Sequence, residues 1–339
     1  MTQDPLADAN DPARPGDLVC PACLGALTIE PGGGRCAGCA LGFPDVAGLR
    51  DLRLESDRYL PLEADRAKAE QLRAIEPGTD FMGLSEAYYA LTDDVAFRKQ
   101  MFLRHIQTAE ARGAALAERL PRSGRVLELG CGTGGLLAAA ARAGMAIEGV
   151  DIAARWLIVA RRRLKDHGLS VPLAAASAEQ LPWADATFDT VVADSLLEHL
   201  DDPARALREW ARVLRPGGSL IVWSPNRFTL ATDPHIGLWG LGWLPRRWVP
   251  AYARLRGRDF WPPRTLSARA ARRLATRSGL GSVAVEPPAI PELWARACSP
   301  TRRLSIRAYE MVRRLPVPRA VLRAVGPLWE LRATKKGGA

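Results

Sequence analysis

The stretch from Val126 to Gly135, VLELGCGTGG, limits most strongly what this chain can fold into. A strand-like run, VLEL, leads into a turn that contains Gly130, Gly132 and Gly134, and an alanine-rich segment follows. Glycine has no Cβ atom, so the backbone can turn sharply here and a ligand can lie against its amides. The pattern predicts a strand, a tight turn and a helix N-terminus that together form a nucleotide-cofactor site.

A single acidic residue follows at the position that such a site requires. Asp151 ends the next apolar run, Ala146–Asp151. A carboxylate at that strand end can accept both ribose hydroxyls of an adenosine. However, Gly130, Gly132 and Gly135 also satisfy the G-x-G-x-x-G pattern of NAD-binding Rossmann units. This segment by itself therefore leaves two cofactors open.

The downstream sequence separates the two cofactors. Residues 188–194 form a buried-type strand, LLEHL follows at 196–200, and residues 211–222 predict a helix end, a Pro-Gly-Gly turn and another strand. With Glu128 two residues before the first glycine, this series resembles the class I S-adenosylmethionine (SAM) methyltransferases. The resemblance is strongest to the branch that includes the ubiquinone and menaquinone methyltransferases, and it covers residues 120–226.

The resemblance implies a role for each residue around the glycine turn. Glu128 positions the ammonium group of SAM, the backbone of the turn lies along its methionine portion, and Asp151 binds the ribose. Ser177 stands where an acid commonly reads the adenine edge, so adenine contacts are expected to depend on the Ala178 backbone. The cofactor-binding residues implied in this way are Glu128, Gly130, Gly132, Gly134, Asp151, Ser177, Ala178 and Asp194.

Two histidines are candidates for a catalytic role. If the methyl acceptor is a hydroxyl group, a histidine is a suitable general base because its pKa lies near neutrality. His199 follows the predicted fourth core strand on the acceptor side, or else helps to start the helix at Pro203. His235 lies on a loop that can cap the pocket. His105 and His167 fall in predicted helices and are expected to be surface or packing residues.

Four of the six cysteines form two C-x2-C pairs, Cys20 with Cys23 and Cys36 with Cys39, separated by 12 residues. This spacing is typical of zinc ribbons, and four thiolates close a tetrahedral Zn²⁺ shell, which predicts a structural ion. Disulfides are the alternative, and they are disfavoured because no secretion signal is predicted. Residues 40–52 resemble the tail of the small zinc-ribbon subunit that activates several tRNA and protein methyltransferases, here fused to the core.

The alternation of strands and helices predicts an α/β fold, a Rossmann-like, doubly wound and mostly parallel sheet of seven strands. Helices are expected near 135–143, 154–167, 203–213 and 265–279, and in the linker at 63–76 and 94–120. The seven strands are expected near residues 125–129, 146–150, 171–175, 189–193, 218–224, 281–286 and 327–334, the last one antiparallel.

The same elements divide the chain into four parts. Within the linker, Tyr88 and Tyr89 either cover the cofactor or pack as ordinary aromatics. The parts are a disordered N-terminus (1–15), a zinc ribbon (16–54), a helical linker with a cofactor-covering segment (55–120) and a methyltransferase domain (121–339) with insertions at 225–263 and 288–325.

Positive charge is concentrated in the C-terminal third. The net charge is +10, and residues 240–339 carry 21 Lys+Arg against 5 Asp+Glu. Such a region on an otherwise acidic chain favours an anionic partner, either a membrane surface or a nucleic acid. A compositional bias is the alternative, because 42 of the 47 basic residues are arginine.

Both insertions bear on the acceptor. The first contains four tryptophans among glycines and arginines, so it can line an apolar pocket, rest at a membrane interface or form a packed lid. In the second, residues 302–314 have an apolar helical face opposite arginines, typical of a docking helix or a peripheral membrane helix. The tryptophans of the first insertion are Trp239, Trp243, Trp248 and Trp261.

The sequence therefore predicts a SAM-dependent methyltransferase that acts on a hydrophobic or lipid-linked small molecule. No signal peptide and no run of roughly 18 apolar residues is found, which predicts a cytoplasmic protein, either free or peripheral at the inner face of the membrane. The second hypothesis is an rRNA or tRNA base methyltransferase, since a ribbon before this core also resembles bacterial rRNA guanine methyltransferases. The third is a binding module without turnover, against which the intact glycine turn and Asp151 argue. The oligomeric state stays open.

Overall fold

The computed structural model describes residues 17–92, 96–233, 235–258 and 264–337. The predicted disordered N-terminus at 1–15 and Trp261 lie outside these described residues. The described strands are β1 (Leu27–Glu30), β2 (Gly33–Cys36), β3 (Gly42–Val46), β4 (Leu49–Asp51), β5 (Arg125–Leu129), β6 (Ala146–Asp151), β7 (Leu173–Ala175), β8 (Phe188–Asp194), β9 (Leu214–Pro225), β10 (Leu280–Glu286) and β11 (Leu328–Lys335).

Helices cover the sheet and fill the linker and the second insertion. The α-helices of the described residues are α1 (Leu62–Ile75), α2 (Phe81–Ala90), α3 (Ala96–Ala117), α4 (Gly135–Arg142), α5 (Ala154–Asp166), α6 (Pro203–Val213), α7 (Val249–Leu255), α8 (Ala268–Arg277), α9 (Glu292–Ala297), α10 (Pro300–Arg313) and α11 (Pro316–Val325).

The central strands are apolar because both of their faces are covered by helices. Every residue of β5 is buried, and neighbouring side chains enter different cores. Val126 packs in a core with residues of α1 to α5, whereas Leu127 packs in a core with residues of α6 and α8. The helix α3 approaches α4 closely, since a Cβ atom on Gly113 would lie 2.4 Å from the Gly135 carbonyl carbon.

The sheet reverses its chain order at β5. Its spatial order is β1-β2-β3-β4-β7-β6-β5-β8-β9-β11-β10. From β5 the chain adds β6 and β7 on one side and then β8 and β9 on the other, all parallel, while β11 is antiparallel to both β9 and β10. In open α/β sheets, ligands bind at such a switch point, beyond the carboxyl ends of the strands.

The α/β fold is confirmed, but the sheet has eleven strands among the described residues instead of the predicted seven. The predicted core strands are present, and the four additional strands belong to the ribbon. Its last strand, β4, pairs in parallel with β7, with Arg50 opposite Ala174 and Asp51 opposite Ala175. The Leu52 amide extends this pairing by donating to the Ala175 carbonyl at 2.8 Å. The ribbon is therefore continuous with the core sheet.

A buried ion network lies at this junction. The Arg53 guanidinium donates to both Asp51 carboxylate oxygens at 2.7 Å, to Asp65 at 2.5 Å and to the Ile152 carbonyl at 2.8 Å. Burial alone would raise the pKa of Asp51, but the hydrogen bonds from Arg53 and Arg66 leave that pKa lowered. The network joins the ribbon exit to α1 and to the residue that follows Asp151.

The linker contains one helix more than the sequence predicts. The predicted helix at 63–76 is α1, and the predicted helix at 94–120 corresponds to α3, with residues 94 and 95 outside the described part. Between them α2 forms, with Asp80 as its N-cap accepting a hydrogen bond from the Gly83 amide. Both Tyr88 and Tyr89 are buried on α2, and Tyr88 stacks on Trp156 with a centroid distance of 4.1 Å.

The two insertions differ in structure. The first is built mostly of turns and α7 around a small apolar cluster, and the second folds into α9, α10 and α11. They meet where the Leu230 amide donates to the Val325 carbonyl at 3.1 Å. Among the residues that the structure describes, no helix is both long and apolar enough to cross a bilayer.

Candidate active site

Three carboxylates lie at the switch point. Glu128 is on β5, Asp151 ends β6 and Asp194 ends β8, and these strands are neighbours in the sheet. Glu128 is 5% exposed. The three side chains are close enough for the charges of Asp194 and Asp151 to raise the pKa of Glu128, in addition to the effect of burial. Such a concentration of buried negative charge favours a cationic ligand.

The glycine turn has the backbone conformation that its sequence predicts. Gly130, Gly132 and Gly134 have φ angles of +65°, +50° and +72°, which L side chains adopt rarely. Asp151 holds this turn, because its Oδ2 accepts a hydrogen bond from the Gly132 amide at 2.9 Å and its Oδ1 accepts one from Ala153 at 2.8 Å. A Cβ atom on Gly132 would meet no atom within 4 Å, so this face of the turn is open to a ligand.

Glu128, two residues before the glycine turn, offers an unused hydrogen-bond acceptor. Its Oε2 atom is buried and has no hydrogen-bond partner among the described residues. A buried carboxylate oxygen without a donor costs free energy, and an ammonium group placed there removes that cost. The residue therefore fits the group that the SAM resemblance assigns to it.

Asp194 is held by a residue that the sequence analysis did not identify. Arg112 on α3 forms an ion pair with Asp194 and donates to the Ser195 hydroxyl at 2.9 Å. Burial raises the pKa of Asp194, although Arg112 opposes this shift. Ser195 has a φ angle of +55°, a strained conformation for a residue with a side chain, at the point where the chain leaves the sheet. Arg112 had no sequence signal because it lies in the middle of a long helix.

On the predicted adenine side, Ser177 and Ala178 are both buried. The Ala178 carbonyl already accepts a hydrogen bond from Trp210 Nε1 at 2.9 Å. The Ser177 hydroxyl donates to a carboxylate oxygen of Glu55 at 3.3 Å. An acid therefore does lie at this position, but it comes from the chain segment that leaves the ribbon.

That segment, residues 53–60, is here called the strap. It contacts the carboxyl edge of the sheet at several points: Glu55 bonds Ser177, Asp57 pairs with Arg155 at 2.6 Å, and the Tyr59 hydroxyl lies 3.0 Å from His199 Nδ1. The strap thus reaches from the predicted adenine side to the predicted acceptor side. No pattern in its sequence indicates this, because the path depends on where β4 joins the sheet.

The structure brings the two histidine candidates together. The Nε2 atoms of His199 and His235 lie 3.2 Å apart, and Glu198 lies 3.6 Å from His235 Nε2. Burial, followed by the charges of His235 and Arg58, lowers the pKa of His199 to about 3, which makes it a weak base. Burial also acts to lower the pKa of His235, but Asp233 and Glu198 outweigh it and raise that pKa.

The other predictions for the histidines concern the start of α6 and the positions of His167 and His105. Asp202, not His199, caps α6, since its carboxylate accepts hydrogen bonds from the Ala204 and Arg205 amides at 3.0 Å. His167 ends α5 and lies 3.1 Å from Glu110, partly exposed, as expected for a surface residue. His105 lies in α3, and its side chain is outside the described part.

The four ribbon cysteines converge. Cys20 Sγ lies 3.6 Å from Cys39 Sγ, and Cys23 Sγ lies 3.4 Å from Cys36 Sγ. All four sulfurs are within 4.8 Å of one another. Tetrahedral Zn–S bonds of about 2.3 Å place sulfurs roughly 3.8 Å apart, so the cluster can bind zinc. Backbone hydrogen bonds, chiefly from the Cys39 amide, lower the pKa of Cys36 to about 6, whereas burial raises the pKa of Cys20 to about 12.

The first insertion forms a cavity of about 180 Å³ next to this edge. Its apolar lining includes Leu241, Leu244 and Val249. Its charged lining includes Arg227, Arg246, Arg264 and Asp233. The Arg264 amide donates to the Glu198 carbonyl at 2.7 Å, so the cavity adjoins the histidine pair.

Comparison with known proteins identifies the core. Residues 127–222 match a family model described as a methyltransferase domain. A ubiquinone biosynthesis O-methyltransferase of Methylocella silvestris is 33% identical over 158 residues, which are 45% of this chain and 60% of that protein. The methyltransferase GfsG of Streptomyces halstedii is 39% identical over 121 residues, 34% of this chain and 44% of that protein. The chain therefore matches less than two thirds of the length of these relatives.

One solved structure is similar to part of this chain. The S-adenosylmethionine-dependent methyltransferase of Mesorhizobium loti is 21% identical, with a TM-score of 0.46, and the match covers 66% of this chain and 97% of that one.

Residues 127–222 of this chain are therefore similar to methyltransferase domains, and the cysteine cluster fits a zinc ribbon. Two of the relatives, from Methylocella silvestris and Parvibaculum lavamentivorans, are named ubiquinone biosynthesis O-methyltransferases.

Proposed function

We propose that this protein transfers the methyl group of SAM to a hydroxyl group on a hydrophobic or lipid-linked small molecule. The observation that carries the proposal is the unpartnered Oε2 of Glu128, two residues before a glycine turn in which the face of Gly132 is open. This pair of features offers a charge partner and backbone space to a ligand with an ammonium group. The names of the O-methyltransferase relatives support an oxygen as the acceptor atom.

SAM supplies an electrophilic methyl group on a sulfonium ion. The chain's own contribution is to hold two reactants in line and to exclude water. In this proposal Glu128 binds the ammonium group, the glycine turn follows the methionine portion, and Asp151 binds the ribose while it keeps the turn in place. Asp194, Ser177 and the Ala178 backbone complete the cofactor side, and Glu55 supplies the acid there.

We propose that the cysteine cluster binds one structural Zn²⁺. Four sulfur ligands leave no open position for substrate. The ribbon is small and has few buried apolar side chains of its own, so an ion would supply much of its stability. In that role the ion supports β4 and, through it, the strap.

We further propose that the acceptor is reached at an anionic membrane surface. The insertions expose Leu230, Trp239, Trp248 and Leu255, the last at 83%. Arginines lie beside these side chains, and a Trp and Arg mixture suits an interface between lipid headgroups and water. The arginine-lined cavity has room and charge for the polar end of an amphipathic acceptor.

The proposal is tested with methyl-labelled SAM. We expect SAM to bind in calorimetry, and we expect label to enter a total lipid extract. We expect none to enter total RNA from the same cells, and label in RNA alone would support a base methyltransferase instead. Absence of SAM binding would refute both enzyme hypotheses and leave the binding module. Asp151→Asn should remove the transfer, whereas Asp185→Asn, which changes a surface acid, should not.

A further inference from the structure

A second cluster of metal-binding side chains lies at the carboxyl end of β8, away from the cysteines. Glu198, His199 and His235 each place one ligand atom within 4.8 Å of the others. We propose that these three residues bind one divalent transition-metal ion. Two imidazole nitrogens and one carboxylate oxygen are a donor set that zinc, cobalt and iron accept, with coordination positions left over for another ligand.

The distances suit two nitrogens on one ion. His199 Nε2 and His235 Nε2 lie 3.2 Å apart, and their rings are nearly perpendicular, at 81°. Tetrahedral Zn–N bonds of about 2.0–2.1 Å place two ligand nitrogens roughly 3.3 Å apart. The two Nε2 atoms are therefore spaced as two ligands of one tetrahedral ion would be.

Two of the three proposed ligands, His199 and Glu198, are hydrogen-bonded on their other side, and an acid lies near the third, whose Nδ1 has no hydrogen-bond partner among the described residues. Tyr59 on the strap lies 3.0 Å from His199 Nδ1, and the Asp233 carboxylate lies 3.6 Å from His235 Nδ1. The Ser224 hydroxyl donates to Glu198 Oε2 at 2.9 Å. Metal-binding histidines and carboxylates are typically held in this way, which fixes the atom that faces the ion.

A hydrogen-bonded histidine pair in which His235 is charged is the simpler explanation, but it leaves one oxygen of Glu198 without a hydrogen bond. This residue is 0% exposed, and its Oε1 has no hydrogen-bond partner among the described residues. Oε1 lies 3.6 Å from His235 Nε2, on the side of the cluster. A buried carboxylate oxygen with no donor is costly, and a cation at the centre of the cluster satisfies it.

The position of the cluster suggests what the ion binds. Leu196, two residues before Glu198, lies against Gly130 of the cofactor turn, and Arg264 at the insertion cavity bonds the Glu198 carbonyl. The cluster thus lies between the cofactor turn and the cavity.

The role that we assign to the ion rests on the proposed function. The ion would bind the acceptor hydroxyl and lower the pKa of that hydroxyl. The hydroxyl proton passes to water, its oxygen forms a bond to the methyl carbon, and the carbon–sulfur bond breaks with its electron pair left on sulfur.

The test uses the whole chain loaded with one Zn²⁺ ion. Lack of reaction with a thiol reagent shows that this ion occupies the ribbon cysteines. Titration with Co²⁺ in a calorimeter is expected to show one further ion per chain. Its visible spectrum should lack the intense charge-transfer band of thiolate ligands. His235→Asn and Glu198→Gln should each weaken Co²⁺ binding at least tenfold. The matched control is His167→Asn, a histidine paired with Glu110, and it should leave the affinity unchanged.

Thermal unfolding of each variant shows whether it has kept its fold, and His199→Gln serves as the replacement for any variant that has not. The proposed site would be overturned if no second ion bound, or if the ligand variants bound Co²⁺ as tightly as the unchanged protein. SAM calorimetry on the same samples separates the two proposals. Retained SAM binding and methyl transfer without a second ion would remove the metal site alone. Co²⁺ binding without SAM binding would remove the methyltransferase proposal alone.

Discussion

Buried acids dominate the site at the scale of single residues. Glu128, Asp151 and Asp194 all have pKa values raised by burial. A protein that keeps three such groups together has a lower stability than one with apolar residues there. The arrangement is explained if a ligand with positive charge repays part of that cost on binding.

The affinity for SAM should depend on pH through Glu128. A raised pKa means that protons compete with the cation, so the affinity should fall as the pH is lowered from 7 to 5. Glu128→Gln should weaken binding by about ten- to a hundredfold, because a hydrogen bond to a charged group contributes about 1.5–3 kcal/mol. The same variant should flatten the pH dependence. Calorimetry in buffers of different ionisation enthalpy measures the affinity and the protons released.

The matched control for this prediction is Glu286→Gln. Glu286 pairs with Arg319 and Arg323 on the surface and should leave the SAM affinity as it is. An affinity that is constant between pH 5 and 7, or the same in the Glu128 variant, would show that this carboxylate does not bind the cofactor.

The residues that sequence could identify are those within one strand, turn and helix. Glu128, the three glycines and Asp151 belong to adjacent local elements, whose spacing alone brings them together. By contrast, Glu55 and Arg112 reach the site from segments whose paths depend on tertiary packing. The histidines His199 and His235 were each identified, but 36 residues separate them, and no local pattern predicts that their rings meet.

At the scale of elements, the ribbon is part of the sheet. The cysteine spacing predicts a zinc ribbon, and it carries no information on what the ribbon's edge strand will pair with. β4 pairs with β7 because its backbone groups would otherwise form an open edge. The consequence is that the strap begins at a fixed point beside the cofactor site.

Zinc removal should therefore affect the cofactor site. Cys36→Ser should lose one equivalent of zinc, expose the ribbon to limited proteolysis and weaken SAM binding several-fold, because the strap loses its anchor. Zinc analysis, protease digestion and calorimetry check these three effects. Cys298→Ser is the control, since this half-buried cysteine lies outside the cluster. Unchanged zinc content in Cys36→Ser would disprove the assignment of this residue as a ligand.

The junction network should contribute to stability. Arg53→Met leaves Asp51 and Asp65 without one of their partners, although Arg66 and Arg155 still pair with them. Breaking a buried pair in this way costs about 3–5 kcal/mol, and the remaining partners place this case near the lower value. Urea unfolding measures the change.

The exposed Arg35 offers a control for that measurement. Arg35→Met on β2 should shift the free energy of unfolding by no more than about 0.5 kcal/mol. If Arg53→Met changed the free energy of unfolding as little as Arg35→Met, the ribbon would be attached by its strand pairing and not by the ion network.

On the scale of the whole molecule, charge and apolar exposure coincide in the C-terminal third. This region carries 21 basic residues against 5 acidic ones, and it includes most of the exposed large apolar side chains of the two insertions. On α10 and α11 these are Leu304, Met311, Val317 and Val321. Nucleic acid binding explains the charge but not the exposed apolar groups, whereas an anionic lipid surface explains both.

Sedimentation with lipid vesicles decides between these partners. The protein should bind to phosphatidylglycerol vesicles and bind much less to vesicles of phosphatidylcholine alone. Added salt should weaken this binding without abolishing it, because apolar contacts are not screened. Trp239→Ser with Trp248→Ser, both more than half exposed, should reduce binding about tenfold or more, since burying one large side chain contributes about 1.5–3 kcal/mol. Ile29→Thr, an exposed apolar residue of the ribbon, should not change it. Binding to RNA with a steep salt dependence, and none to vesicles, would contradict the lipid proposal and favour the nucleic-acid alternative.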